Sequence, residues 1–299
     1  MIERLQLACP EFQASSILAR TGKCLLIRGT LAGIAAVAKC LVEPDTYWST
    51  HFAKEIRWYQ LFTQHTPPVA IPRLLFADEA LGLSVLEFLE GQPLCRTRYA
   101  TQPLPPRQID TLVTELSRLH SWRVPQLPSS SELVADYREK FRSYADRGFL
   151  SAADCSDLMQ LLGRDQSDPE FNHGDLLLSN CLALGAGLAL IDWEFAGYYL
   201  PGYDLALLWT LLQADSAARR CIIEVVRRRG AAAERAFFIN QMRVIVREIR
   251  IHQKEAGVAI HDDRVRRLLA DCDAVRASIR THLVDYRGTS STYEGTPIS

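Results

Sequence analysis

The stretch FNHGDLLLSN, residues 171–180, sets a histidine, an aspartate and an asparagine at close spacing among strongly apolar neighbours. Polar side chains in such a run must pair inside the fold or be held for a ligand, because burying them unpartnered is costly. Asp175 and Asn180 fall in what reads as a loop, since Asp, Gly and Ser oppose continuing a helix or a strand. Further on, Asp192 lies near the end of the run LALIDWE, and the intervening CLALGAGLALIDW reads as a strand, a glycine turn and a strand. That hairpin is expected to return Asp192 beside Asn180. A carboxylate positioned for a hydroxyl proton, with an amide oxygen and a second carboxylate as hard oxygen ligands, suits magnesium-dependent phosphoryl transfer.

The rest of the chain limits what this loop can belong to. With 299 residues, 48% of them hydrophobic, it can bury a large core and is expected to split in two. A formal charge of -1 gives no overall basic field, so nucleic acid is a poor partner. The eight cysteines show neither CxxC nor zinc-ligand spacing and no secretory leader precedes them, so they read as buried thiols in a reducing cytoplasm. No run approaches the roughly 20 apolar residues of a membrane span. We expect a cytoplasmic protein with no membrane partner.

Organisation follows from periodicity. SSILARTGKCLLIRGTLAGIAAVAKCLV, cut by TGK and LAG, predicts three antiparallel strands. HFAKEIRWYQLF then predicts a helix with Phe52, Glu55, Tyr59 and Phe62 on one face. LLFADEALGLSVLEFLEG gives two more strands around a DEALG turn, and residues 107–122, 132–147, 152–163 and long tracts between 203 and 285 have helical periodicity. The expected class is α+β, with an N-terminal antiparallel sheet and one main helix over residues 1–90. A mostly helical part follows over 91–287, with the boundary near Gly91, and a frayed polar tail over 288–299.

Glu55 is the first residue in this pattern to need a partner. A carboxylate on the apolar face of a helix is expensive to bury unless it meets a cation, and Lys39, at the polar end of VAK, is the obvious candidate. Such a pair would hold an amine where it can meet phosphate oxygens. The plainer reading sends Lys39 to solvent from a strand end and Glu55 to a helix edge.

HGDLLLSN followed by IDWE resembles the catalytic and metal motifs of the aminoglycoside phosphotransferase and choline kinase families, which share the two-lobed protein-kinase-like fold, and the first motif fits their HxDxxxxN element. VAK with Glu55 is similar to the family's lysine and helix-glutamate pair. LSVLEFLEG looks like its strand into the interlobe hinge, bringing Glu87 among the residues expected at the nucleotide, while LSRLH and PGYDLALLW are also family-like. The resemblance implies that Asp175 accepts the hydroxyl proton, that Asn180 and Asp192 hold Mg2+, and that Lys39, held by Glu55, contacts the phosphates of ATP, with GTP an alternative donor. His173 is expected to brace the loop through backbone bonds, and Asp204 to cap a helix or brace a loop. Glu194 is expected either to reach metal or substrate or to stand solvated at the strand exit. Trp193, Tyr198, Tyr199, Tyr203 and Trp209 line a substrate site or, more commonly, fill a core.

One departure from the family is plain. Where it has a glycine-containing loop over the phosphates, this chain has ARTGKC with only Gly22, from which backbone amides, Thr21 or Lys23 can contact phosphate. DFG and APE are replaced by IDWE and GYDLA, so a small-molecule acceptor is favoured over a protein. Residues 205–285 carry 15 Lys and Arg against 10 Asp and Glu, a surplus that argues for a neutral or anionic hydroxylated acceptor, such as a sugar, a nucleoside-like metabolite or a natural product, over a polycationic antibiotic. A nucleotide-binding pseudokinase without turnover, and a true aminoglycoside or choline-type kinase, are the alternatives.

Overall fold

The computed structural model describes residues 1–42, 45–123, 130–165, 167–185, 187–256 and 263–290. In chain order the elements are α1 (Ile2–Ala8), β1 (Gln13–Arg20), β2 (Cys24–Leu31), β3 (Ile34–Leu41), α2 (Thr46–Gln64), β4 (Leu74–Asp78), β5 (Leu83–Glu87) and β6 (Gln92–Pro93). Then come α3 (Pro106–Ser121), α4 (Ser130–Asp146), α5 (Ala152–Arg164), β7 (Glu170–Asn172), a 3-10 turn at Leu178–Asn180, β8 (Cys181–Ala183), β9 (Leu188–Leu190) and β10 (Gly197–Tyr199). The chain closes with α6 (Tyr203–Leu211), α7 (Ser216–Arg228), α8 (Ala231–Ala256) and α9 (Asp263–Ser290). The fold is α+β, as expected: an antiparallel sheet with its helix, then a helical part.

Two compact units are present, one from Met1–Arg98, Asp110–Val124 and His173–Gly197, the other from Tyr99–Ile109, Pro125–Asn172 and Tyr198–Ser299. Residues 173–197 therefore share a unit with the N-terminal sheet. α9 runs through Ser290, so the first residues of the expected tail are helical, and 291–299 lie outside the described residues.

In the first unit five strands pair in the order β1-β2-β3-β5-β4. The β2–β3 hairpin turns on Ala32 (φ 50°) and Gly33 (φ 79°); positive φ at both positions matches the twist of the flanking strands. Gly29 lets β1 close on β2, because a Cβ there would collide with the Gln13 carbonyl and come within 2.6 Å of the Phe12 ring. Side chains alternate along β3. Ala36, Ala38 and Cys40 join Leu5, Cys9 and Phe12 in one core, while Leu41 joins Cys24, Phe52 and Ile56 in another, so α1 and α2 pack on different sets of sheet residues. A second sheet, β6-β8-β9, carries the hairpin that the glycine turn predicted, with Cys181 paired to Leu190.

The second unit is built on α6, buried along all its residues. Asn240 on α8 donates to the carbonyls of Leu200 (3.0 Å) and Pro201 (2.9 Å) and accepts from the Tyr137 hydroxyl, so this buried amide is satisfied on both sides. α5 opens on a capping box in which Ser151 and Asp154 exchange hydrogen bonds. Asp154 also receives a two-pronged bond from Arg276 on α9, at 2.5 Å and 2.9 Å. Arg219 bonds Asp271 and stacks at 3.7 Å on Trp209. All eight cysteines are free thiols. Among the described residues no helix is long and apolar enough to cross a membrane.

Candidate active site

Lys39 lies between Ala38 and Cys40, both fully buried, so strand alternation turns its own side chain away from theirs. There its ammonium lies 2.7 Å from Glu55 Oε2, 2.6 Å from Asp192 Oδ1 and 3.9 Å from Glu194 Oε2. Glu55 sits among Phe52, Ile56 and Tyr59 on the buried face of α2 and is only 2% exposed, so an ionised carboxylate there depends on Lys39. Burial is the largest influence on the Glu55 carboxyl and raises its pKa; Lys39 draws it back without cancelling the rise. Burial opposes charge on Lys39 too, but Asp192, Glu55 and Glu194 outweigh it and hold the ammonium well above the ordinary lysine range.

The loop that follows β7 is gripped from several sides. His173 is fully buried; its Nε2 donates to the Ile191 carbonyl at 2.9 Å, leaving Nδ1 to accept from the Asp175 backbone N–H at 3.4 Å. Gly174 takes φ +80°. The Asp175 carbonyl accepts from the Leu177 N–H at 2.7 Å and from Asn180 Nδ2 at 3.0 Å. That last bond orients the Asn180 amide and leaves its Oδ1 as the group able to ligate a cation. Leu176 and Leu178, both fully buried, anchor the loop between these polar residues.

The β8–β9 hairpin does the remaining positioning. The Ile191 N–H bonds the Asn180 carbonyl at 3.0 Å, which brings the residue before Asp192 back to the loop. Asp192 itself has φ 68°, a left-handed conformation that costs a non-glycine residue of order 1 kcal/mol and persists where surroundings dictate it. Burial raises the Asp192 pKa, yet Lys39 and Lys23 overcome it and the net shift is downward. Trp193 fills the core beneath, its ring centroid 4.7 Å from that of His173 and 5.0 Å from that of Phe62. Of the aromatics named from sequence, Trp193, Tyr203 and Trp209 are buried.

Glu194 is not solvated at the strand exit: it is 3% exposed, because Lys23 Nζ reaches it at 2.5 Å. The sequence holds no local signal for that pairing, which spans 171 positions. Among the described residues Glu55, Asp192 and Glu194 bring one carboxylate oxygen each within 4.8 Å of one another. Such hard oxygen donors suit a divalent cation such as magnesium, and here Glu55 and Asp192 also hold the Lys39 ammonium. Glu87 ends β5 and pairs with Arg73, whose Nε lies 2.9 Å away and lowers the Glu87 pKa. Asp204 belongs to the second unit. Of the two roles expected of it, capping α6 falls to Gly202, at φ 80°, and Asp204 stands fully buried in the first turn with its N–H donated to Asn172 Oδ1 at 3.0 Å.

A family model described as the phosphotransferase enzyme family matches residues 40–238. The chain belongs to the phosphotransferase enzyme family. As a member it is a small-molecule phosphotransferase acting on a hydroxyl group. Among solved structures this phosphotransferase is similar to aminoglycoside phosphotransferase APH(4)-Ia, with 14% identity and a TM-score of 0.67 over 93% of this chain and 97% of that one. It is also similar to choline kinase LicA from Streptococcus pneumoniae, at 15% identity and a TM-score of 0.58 over 92% and 97% of the two chains. ADP-bound aminoglycoside phosphotransferase APH(2'')-Ib gives 15% identity and a TM-score of 0.60 over 92% and 96%. At such identities the likeness carries the fold. No curated protein matches.

Proposed function

We propose that this phosphotransferase moves the γ-phosphate of ATP, with magnesium, to a hydroxyl of a neutral or anionic small molecule. The observation that carries the reading is Lys39, clamped between Glu55 and Asp192 in the same unit as the Asp175 loop. Residues 1–90 serve as the nucleotide-binding lobe and 91–287 supply catalysis and acceptor binding. Asp175 accepts the proton of the attacking hydroxyl, its backbone fixed by His173 and Asn180. Lys39 contacts the phosphates while Glu55 keeps its ammonium in position. Asn180 and Asp192, with Glu194 in support, hold magnesium, which neutralises charge on the phosphates when bound. Glu87 stands at the end of the strand that borders the nucleotide, and Asp204 braces the end of β7 through Asn172. The free thiols, several deeply buried, support work in a reducing cytoplasm.

The acceptor class rests on the second unit. Much of the arginine surplus there is paired, as in Arg219 with Asp271, Arg229 with Glu170 and Arg276 with Asp154. Arg243, which bonds Asp136 at 2.9 Å, also lies 4.2 Å over the Tyr137 ring and within 6 Å of the Tyr199 and Tyr203 rings. Close by, desolvation and then repulsion from Arg243, Arg250 and Arg147 lower the Lys140 pKa. A region already crowded with cations opposes a polycation and suits an aromatic or anionic acceptor. Hygromycin B is the compound named in a ternary complex of the similar APH(4)-Ia, so aminoglycosides form one arm of the test.

Magnesium-dependent ADP release from ATP, measured across sugars, nucleosides, acidic natural products, amino alcohols and aminoglycosides, tests both parts. Turnover with a neutral or anionic acceptor, lowered by about 100-fold or more in Asp175→Ala, is the expected result. Productive phosphorylation of kanamycin-like compounds overturns the acceptor class. Nucleotide binding without turnover on any acceptor favours a pseudokinase.

A further inference from the structure

The β1–β2 turn replaces a glycine-rich flap with two residues, Gly22 and Lys23. Thr21 and Cys24 close it: the Thr21 N–H bonds the Cys24 carbonyl at 2.9 Å, and the Thr21 hydroxyl accepts from the Cys24 N–H at 3.0 Å and donates to its carbonyl at 3.2 Å. The Thr21 side chain is thereby committed to the turn. Gly22 has no side chain, and so short a turn offers few amides to an anion. What the turn can present is the Lys23 ammonium. That ammonium lies 2.5 Å from Glu194 Oε1 and 4.7 Å over the Trp48 ring of α2, and its side chain keeps 28% of its surface exposed while Glu194 keeps 4%. Glu194 is shared, since its other oxygen faces Lys39 at 3.9 Å.

We propose that Lys23 is the phosphate-recognition residue of this turn, parked on Glu194 at rest and transferred to the polyphosphate when nucleotide binds. When Lys23 leaves, Glu194 retains Lys39, at 3.9 Å, as its remaining cation. The exchange is driven because a polyphosphate carries several charges where Glu194 offers one. Trp48, under the Lys23 ammonium, guides its swing and reports on it.

This inference rests on the nucleotide reading above, and the experiment separates the two. Calorimetric titration of ATP and of adenosine, both in EDTA, is compared for the wild type, Lys23→Met and Lys23→Arg. Lys23→Met is expected to weaken ATP about tenfold, the equivalent of one charge-assisted hydrogen bond, and to leave adenosine unchanged, with Lys23→Arg restoring most of the loss. ATP is also expected to change tryptophan emission in the wild type, an effect absent in Trp48→Phe. If the wild type binds ATP and Lys23→Met binds it equally well, the proposal fails alone. Equal weakening of ATP and adenosine reduces Lys23 to a structural pair and also overturns it. A wild type that binds neither overturns the nucleotide reading together with the proposal.

Discussion

Each carboxylate around Lys39 is tolerable only because of its neighbours. Removing the ammonium in Lys39→Met leaves the buried Glu55 and the part-exposed Asp192 without their closest cation, and the stranded Glu55 alone costs roughly 3 kcal/mol, as for other broken buried pairs. The companion change Glu55→Gln in that background should recover part of the loss, because one of the stranded charges is gone. Urea unfolding of the single and double variants checks this; strict additivity would mean that the two residues do not depend on each other. The pairing of Lys39 with Glu55 was legible in the sequence because a carboxylate on an apolar helix face demands a cation. Its second partner, Asp192, was not, since 153 positions separate them and the meeting depends on the hairpin after Asn180. Nor does any pattern of residue types announce the left-handed backbone of Asp192, which belongs to the surroundings that hold it.

At the scale of elements, the α5 terminus depends on one residue. Asp154 completes the capping box and receives Arg276 from α9, and its folded pKa is net lowered: burial pushes it up, but the bonds from Arg276 and Ser151 prevail. A depressed carboxyl contributes stability that is fully present above its unfolded value, near 4, and lost as pH falls through the lower folded value. The melting temperature of the wild type should therefore drop more steeply below about pH 4 than that of Asp154→Asn, which should already be less stable at neutral pH. Gly29→Ala, in β2, should cost about 2 kcal/mol or more in chemical denaturation, because its methyl would meet the Gln13 carbonyl and the Phe12 ring. Elements of this kind were readable to different depths. Long strands punctuated by glycine, and helices with a continuous apolar face, were clear in advance. α1, seven residues long, and β6, β7 and β10, of two or three residues each, are too short to show a period and exist because tertiary neighbours pair or cover them. The capping role expected of Asp204 went to Gly202, whose positive φ sets the entry to α6.

Across the whole molecule the two units differ in how they are held. The first is a twisted sheet with a charged cluster in its core, the second a set of helices joined by arginine–carboxylate pairs. The cysteines are spread over both. Cys9, Cys24, Cys40 and Cys181 are buried in the first and Cys272 in the second, whereas Cys95, Cys155 and Cys221 are half-buried. Burial pushes the thiols of Cys24 and Cys272 up to about 11, so at neutral pH neither offers the thiolate that an alkylating reagent needs. Short pulses of iodoacetamide across a urea series, read by peptide mass, should label Cys95, Cys155 and Cys221 first. The buried set should react only as its own unit opens, and labelling of Cys24 and Cys272 at the lowest urea would contradict their burial. With no bridge to reduce and a sealed thiol in each half, the chain carries its own time stamps, from which the order of opening can be read without adding a dye or a tag.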